Sequence, residues 1–168
     1  MKFCITGLPR SRTAWFAAYF TATGHKCAHE PFAKCDSEHE VESAISGYEG
    51  ISDSFMVFMP FKGKRVIIER DPDLVKKSLF DAFKTDIDVT DYMIDYAIEN
   101  MRSTDGLKVR FEDIDDRLKE IHEYCVDTPY DEDIGNLFKG LNIQVNKVVI
   151  TEEFKNMVGG VLCQHGQY

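Results

Sequence analysis

Apolar positions in this chain come as short runs separated by stretches with helical spacing. Lys2-Phe3-Cys4-Ile5-Thr6 is the first run, holds an aromatic and a β-branched residue, and predicts a buried strand. Gly7 and Pro9 break it. Ser11 or its neighbour then caps a helix that carries Trp15, Phe16, Tyr19 and Phe20 to a stop at Gly24. Lys26-Cys27-Ala28 reads as a short second strand. His29-Glu30-Pro31-Phe32 follows as a loop, because Pro31 biases Glu30 away from helix. Ser37 caps a helix to Ser46 that Gly47 ends. Tyr48 through Ser54 is turn-rich. Phe55 to Phe61, interrupted by Pro60, is at best a short buried segment, either core or, with Met56 and Met59, the wall of an acceptor pocket.

The clearest strand is Arg65-Val66-Ile67-Ile68-Glu69, whose β-branched centre predicts burial on both faces, as in a parallel sheet. Asp71 and Pro72 start a helix with Leu74, Val75, Leu79 and Phe83 on one face. A further helix spans about Thr90 to Met101, with Tyr92, Ile94, Tyr96 and Ile98 as its stripe. Leu107 to Phe111 is a third good strand. Asp115 to Cys125 is helical, with Leu118, Ile121 and Tyr124 spaced for one side. Asp131 to Lys139 is helical with Gly140 as C-cap. Beyond it, Val145 to Ile150 is β-like, Glu152 to Met157 makes a last helical turn, and Gly159-Gly160 opens a polar tail.

Strands alternating with helices predict the α/β class, as a single three-layer domain over residues 1–168 around a mostly parallel sheet. Residues 1–114 form its recognisable core and 115–168 a less legible, helical C-terminal part. The net charge of −9 argues against a nucleic-acid partner, since phosphate contacts need clustered Lys and Arg. Cys4, Cys27, Cys35, Cys125 and Cys163 are scattered with no C-x-x-C, which predicts reduced thiols and a cytoplasmic location. No apolar run has signal-peptide or transmembrane length, so no membrane partner is expected. His25, Cys27, His29, Cys35 and His39 crowd together without the paired spacing of zinc sites, and no metal is expected.

The chemistry concentrates in Gly7-Leu8-Pro9-Arg10-Ser11-Arg12-Thr13-Ala14-Trp15. In a strand–turn–helix arrangement the free amides of the first helical turn point at one spot, and the helix dipole favours an anion there. Arg10 adds a cation, and the Ser11 and Thr13 hydroxyls add donors. The predicted structure is thus a P-loop-like phosphate-binding turn, although it is not a Walker A loop: no lysine follows the turn and the second glycine is missing.

The stretch resembles the 5′-phosphosulfate loop of sulfotransferases, roughly P-[KR]-S-G-[TS]-[TS]. Pro9, Arg10, Ser11 and Thr13 match. Arg12 stands where that family usually has glycine, which lets backbone approach phosphate closely, and Ala14 where Thr or Ser is common. Arg70, at the end of a strand and followed eight residues later by Ser78 in the next helix, is similar to the family's 3′-phosphate pair. Val109-Arg110-Phe111-Glu112-Asp113-Ile114 resembles the family pattern R-[YF]-E-D-[LI] near the adenosine. The three matches cover residues 2 to about 114. The family's late Arg-Lys-Gly phosphate loop has no clear counterpart, Lys139-Gly140 being a faint echo.

The resemblance implies 3′-phosphoadenosine 5′-phosphosulfate as donor and sulfuryl transfer to a hydroxyl or amine of a small-molecule or protein acceptor. It places Gly7, Pro9, Arg10, Ser11, Arg12, Thr13 and Ala14 at the phosphosulfate, with Arg10 offsetting charge on the leaving oxygens. It places Arg70 and Ser78 at the 3′-phosphate, and Phe111 either against the base or in the core. Glu30, shortly after the loop helix, is the expected general base, its direction set by Pro31 and Phe32; His29 is its competitor. Two other readings stay open. One is a P-loop nucleotide or nucleoside kinase with Glu112 or Asp113 on magnesium. The other is a non-catalytic nucleotide-binding protein that keeps the fold, which Arg12 favours.

Overall fold

The computed structural model describes residues 1–83 and 88–143. The strand expected at 145–150, the helical turn at 152–157, Cys163 and the Phe83 side chain lie outside what it describes. β1 (Phe3–Gly7) is buried along its whole length. It sits at the centre of a five-stranded sheet with β2 (Cys27–His29), β3 (Gly50–Ser52), β4 (Lys64–Glu69) and β5 (Leu107–Arg110), in the order β2-β3-β1-β4-β5. Every pairing among the described residues is parallel, with Ile5 opposite Ser52 on one side and Val66 on the other.

Helices cover both faces. α1 (Thr13–Ala22), α5 (Leu118–Cys125) and α6 (Glu132–Lys139) pack on one face, where Phe3, Ile5, Val66 and Ile68 meet Trp15, Phe16, Phe20, Ile121 and Phe138. Burying each such phenylalanine contributes about 1.5–3 kcal/mol, so this aromatic layer is a main source of stability. α3 (Pro72–Phe83) and α4 (Asp88–Ser103) pack on the other face, around Leu8, Ile67, Val75, Ile94, Ala97 and Met101. α2 (Glu38–Ile45) begins at Ser37, whose hydroxyl accepts from the Glu40 amide as the sequence predicts. The protein is therefore α/β, with three layers around an all-parallel sheet. No helix among the described residues is long and apolar enough to cross a membrane.

Several expectations need correction. The segment 48–54, expected as turns, contains β3, which pairs with both β2 and β1. Gly50 is there because the Phe3 ring occupies the space a Cβ would need, not because the chain turns. Arg12, the neighbour of Ser11, occupies the N-cap of α1, and no side chain caps it. On α3, Val75 is buried but Leu74 is exposed; on α4, Ile94, Ala97 and Met101 face the core while Tyr92 and Tyr96 face solvent. The α5 helix starts at Leu118, after a turn through residues 114–117. Phe55 to Phe61 opens with a 3-10 turn at Ser54–Phe58 that buries Met56 and Val57 and leaves Phe55 and Met59 exposed.

The topology positions a site. The chain leaves β1 through α1 towards β2, and later crosses from β3 over β1 to β4. Such a reversal opens a crevice at the carboxyl ends of the strands, where open α/β sheets hold ligands. The β1–α1 turn lies at that end.

Candidate functional site

A cleft of about 770 Å³ opens there, lined by Pro9, Arg10, Arg12, Thr13 and Ala14 of the β1–α1 turn, by Glu30, Ser54, Arg70, Ser78, Leu79 and Phe111, and by residues 139–143. Its size lies in the range of small-molecule sites. The structure thus gathers on one wall nearly every binding residue the sequence singled out, from segments more than a hundred residues apart. Gly7 and Ser11 are the exceptions. Gly7 ends β1 where a Cβ would stand 2.5 Å from the Ile68 carbonyl oxygen, so it permits close strand approach instead of lining the cleft. Ser11 is fully buried within the turn, and its hydroxyl has no hydrogen-bond partner among the described residues.

The turn is held from both sides. Arg70, at the carboxyl end of β4, donates to the Arg10 carbonyl. Arg10 Nε in turn donates to Ser78 Oγ on α3 at 3.1 Å. Arg70 also lies over the Phe111 ring, 4.1 Å from its centroid, and Arg12 lies 5.3 Å from it. Phe111 therefore lines the cleft with its ring beneath guanidinium groups, and it also packs against the core layer of α1 and α5. Arg12 Nη1 reaches Asp115 Oδ1 at 2.5 Å. Burial, and then the nearby Arg10, hold the Arg70 guanidinium below its usual range, with Glu112 acting in the opposite sense.

Charge in the cleft is opposite to that of the protein. Among the described residues, the cations Arg10, Arg12, Arg70 and Lys139 line it beside a single carboxylate, Glu30, while the whole chain carries −9. Lys139 and Gly140, a faint echo in the sequence, come to the same wall because α6 ends there. Backbone strain concentrates at the same place. The non-glycine residues with left-handed backbone among those described are Arg10 (φ 68°), Arg12 (φ 62°) and Glu30 (φ 41°), and all three line the cleft. Each such conformation costs on the order of 1 kcal/mol or more and tends to cluster at ligand sites. At Arg12 it explains why a glycine suits this position.

At the other end of the turn, Thr13 Oγ1 donates to Glu30 Oε1 at 3.4 Å and stands 3.4 Å from His29 Nε2. His29 Nε2 is 3.7 Å from Glu30 Oε1. Glu30 lines the cleft; His29, beside it, is not among the lining residues. The Glu30 amide donates to the Ser52 carbonyl, which fixes the loop against β3.

Sequence reasoning missed Asp53, the residue immediately after β3. It is 3% exposed, and its Oδ1 accepts from the Phe55 amide at 2.7 Å. Burial pushes its carboxyl above the usual range; the Phe55 amide opposes this and Glu30 adds to it. An acid directly after a strand was the available signal, hidden by the reading of 48–54 as turns. The crowded His25, Cys27, His29, Cys35 and His39 do not converge: His25 faces Glu49 and Thr128, and Cys27 is a buried thiol. Among the described residues, no three His, Cys, Asp or Glu side chains form a metal-sized group. Glu112 stands 3.8 Å from Arg110, at the end of β5, which β4 separates from β1. No protein-family model matches the chain, and no curated protein matches it.

Proposed function

We propose that this protein is a sulfotransferase that moves a sulfuryl group from 3′-phosphoadenosine 5′-phosphosulfate to an acceptor hydroxyl or amine. The observation that carries the reading is the cleft itself: in an acidic protein, four cations and a helix N-terminus converge on one crevice. That arrangement suits a ligand with several negative charges.

In this reading the turn amides and Arg10 hold the phosphosulfate, and Arg70, Ser78 and Lys139 hold the 3′-phosphate. The acceptor oxygen attacks sulfur in line. Its proton passes to Glu30, the new S–O bond forms, and the bond from sulfur to the bridging oxygen breaks, releasing adenosine 3′,5′-bisphosphate. Arg10 offsets the charge that develops on the leaving oxygen. Glu30 is preferred to His29 because it lines the cleft. His29, within reach of both Glu30 and Thr13, orients the carboxylate.

A second reading, a nucleotide-binding protein without turnover, is favoured by one observation. Arg12 occupies the left-handed position at the start of α1 with a side chain tied to Asp115, where a glycine would leave the backbone open to phosphate. A thermal-shift panel with adenosine 3′,5′-bisphosphate and with ATP plus magnesium tests the binding step common to both readings. Ligands that bind only the folded state raise its melting temperature. The proposal expects a rise with the bisphosphate; a rise only with ATP plus magnesium supports a kinase instead. Release of adenosine 3′,5′-bisphosphate from the donor that depends on an added acceptor separates turnover from binding alone.

A further inference from the structure

Four aromatic rings run across the surface from the 3-10 turn after β3 onto α4. Phe55 stands 6.1 Å from Phe58, Phe58 stacks on Tyr96 at 5.4 Å, and Tyr96 is parallel within 8° to Tyr92 at 6.4 Å. Helical spacing places Tyr92 and Tyr96 one turn apart, so the ladder follows the α4 axis. Tyr92 is 74% exposed, Tyr96 52% and Phe55 51%. Phe58 packs against the core, whereas Tyr92 and Tyr96 do not, because Ile94, Ala97 and Met101 fill the buried side of the same helix.

Carboxylates flank the rings. Asp95 and Glu99 lie three residues after Tyr92 and Tyr96, on the exposed side of α4. Asp91 pairs with Lys76 at 2.9 Å, whereas Asp95 and Glu99 have no ion pair within 4 Å to a described residue. Lys76 tempers this field, and Arg102 adds a cation in the last turn of the helix. The stripe is still aromatic and acidic.

We infer that this stripe docks an arginine-bearing segment of a partner protein. Guanidinium planes lie against the exposed parts of the Tyr92 and Tyr96 rings, and Asp95 and Glu99 answer their charge. The charge pattern repels polyanions, and a second copy of a chain with net charge −9 would bring like charge to it. The inference stands apart from the chemistry of the cleft.

The test is fluorescence anisotropy at physiological ionic strength, with labelled short peptides of alternating alanine and arginine, lysine or glutamate. Arginine peptide should bind in the micromolar to sub-millimolar range, lysine peptide more weakly, and glutamate peptide not at all. The double variant Tyr92→Ala/Tyr96→Ala should weaken arginine-peptide binding by roughly tenfold, as should Asp95→Asn/Glu99→Gln, while Tyr92→Phe/Tyr96→Phe keeps it. Circular dichroism checks that each variant folds. No binding below millimolar, or unchanged binding by the folded alanine variant, overturns the inference. So does a concentration-dependent dimer that the alanine variant abolishes, which would make a second copy the occupant.

Discussion

Arg10 and Ser78, far apart in sequence, are joined by a 3.1 Å hydrogen bond from Nε to Oγ across the mouth of the cleft. With Arg70 bound to the Arg10 carbonyl, both the backbone and the side chain of Arg10 are set by the β4–α3 segment. This orders two substitutions. On the proposed reading, Arg10→Ala removes a charge-assisted hydrogen bond to the ligand and should weaken adenosine 3′,5′-bisphosphate by about tenfold or more. Ser78→Ala removes the Oγ that accepts from Arg10 Nε and orients it but leaves the Arg10 charge in place, and should cost only several-fold, on the order of 1 kcal/mol. Calorimetric titration measures both. Equal affinities for wild type and Arg10→Ala would contradict the assignment.

Gly7 carries a stability prediction that is independent of any ligand. A Cβ there meets the Ile68 backbone carbonyl at 2.5 Å, and backbone in the sheet centre cannot give way as a side chain would. Gly7→Ala should destabilise the protein by about 1–3 kcal/mol, as overpacking of a close-packed core does. Urea denaturation followed by circular dichroism reads this directly. A midpoint equal to wild type would show that β1 and β4 can separate without cost.

Which parts of this molecule the sequence reveals follows from the physics of each part. β1, β4 and β5 are apolar runs of ordinary length, and α3 announces itself with Asp71 and Pro72. Hence the α/β class and the strand–turn–helix at Pro9–Ala14 are readable. The β3 strand is not, because Gly50, Ser52 and Asp53 are turn-forming residues that tertiary packing recruits: Phe3 packs over Gly50, and β1 and β2 supply the pairing. The left-handed backbone of Arg12 and Glu30 is equally hidden, since neither residue type favours it. Lys139 reaches the cleft only because α6 packs on α1, with Trp15 Nε1 donating to the Phe138 carbonyl at 2.9 Å.

Glu30 and His29 give the catalytic prediction. Both approach Thr13 Oγ1 at 3.4 Å, but the carboxylate lines the cleft. Glu30→Gln should lower turnover by about a hundredfold with donor affinity nearly unchanged. His29→Ala should lower it less. Normal turnover in Glu30→Gln together with loss in His29→Ala would make the histidine the base.

His122 gives a pH dependence of stability. It is 1% exposed, its Nε2 donates to the Thr128 carbonyl at 3.1 Å, and Tyr19 Oη stands 3.1 Å from Nδ1. Burial is the first cause that lowers its pKa below the ordinary 6.5; His25 adds to this, and Thr128 and Glu123 oppose it. The unfolded chain therefore binds the proton first as pH falls. The stability of the neutral form is complete above about 6.5 and is lost as pH drops through that value towards the lower folded one. Melting temperature should fall across that window, and His122→Gln should flatten the slope. An unchanged slope in the variant would assign the pH dependence to other groups.

The central claim is that the cleft reads a nucleotide by its 3′-phosphate, through Arg70 beside Ser78 and Lys139. Calorimetric titration of adenosine 3′,5′-bisphosphate and adenosine 5′-monophosphate into wild type and Arg70→Ala tests it most directly. Removing a charge-assisted hydrogen bond to one phosphate typically costs about 1.5–3 kcal/mol, roughly ten- to hundredfold. The account predicts that Arg70→Ala weakens the monophosphate only slightly, through the loosened Arg10 turn, and weakens the bisphosphate by that further factor. Equal losses for the two ligands, or no binding of the bisphosphate to wild type, would contradict it.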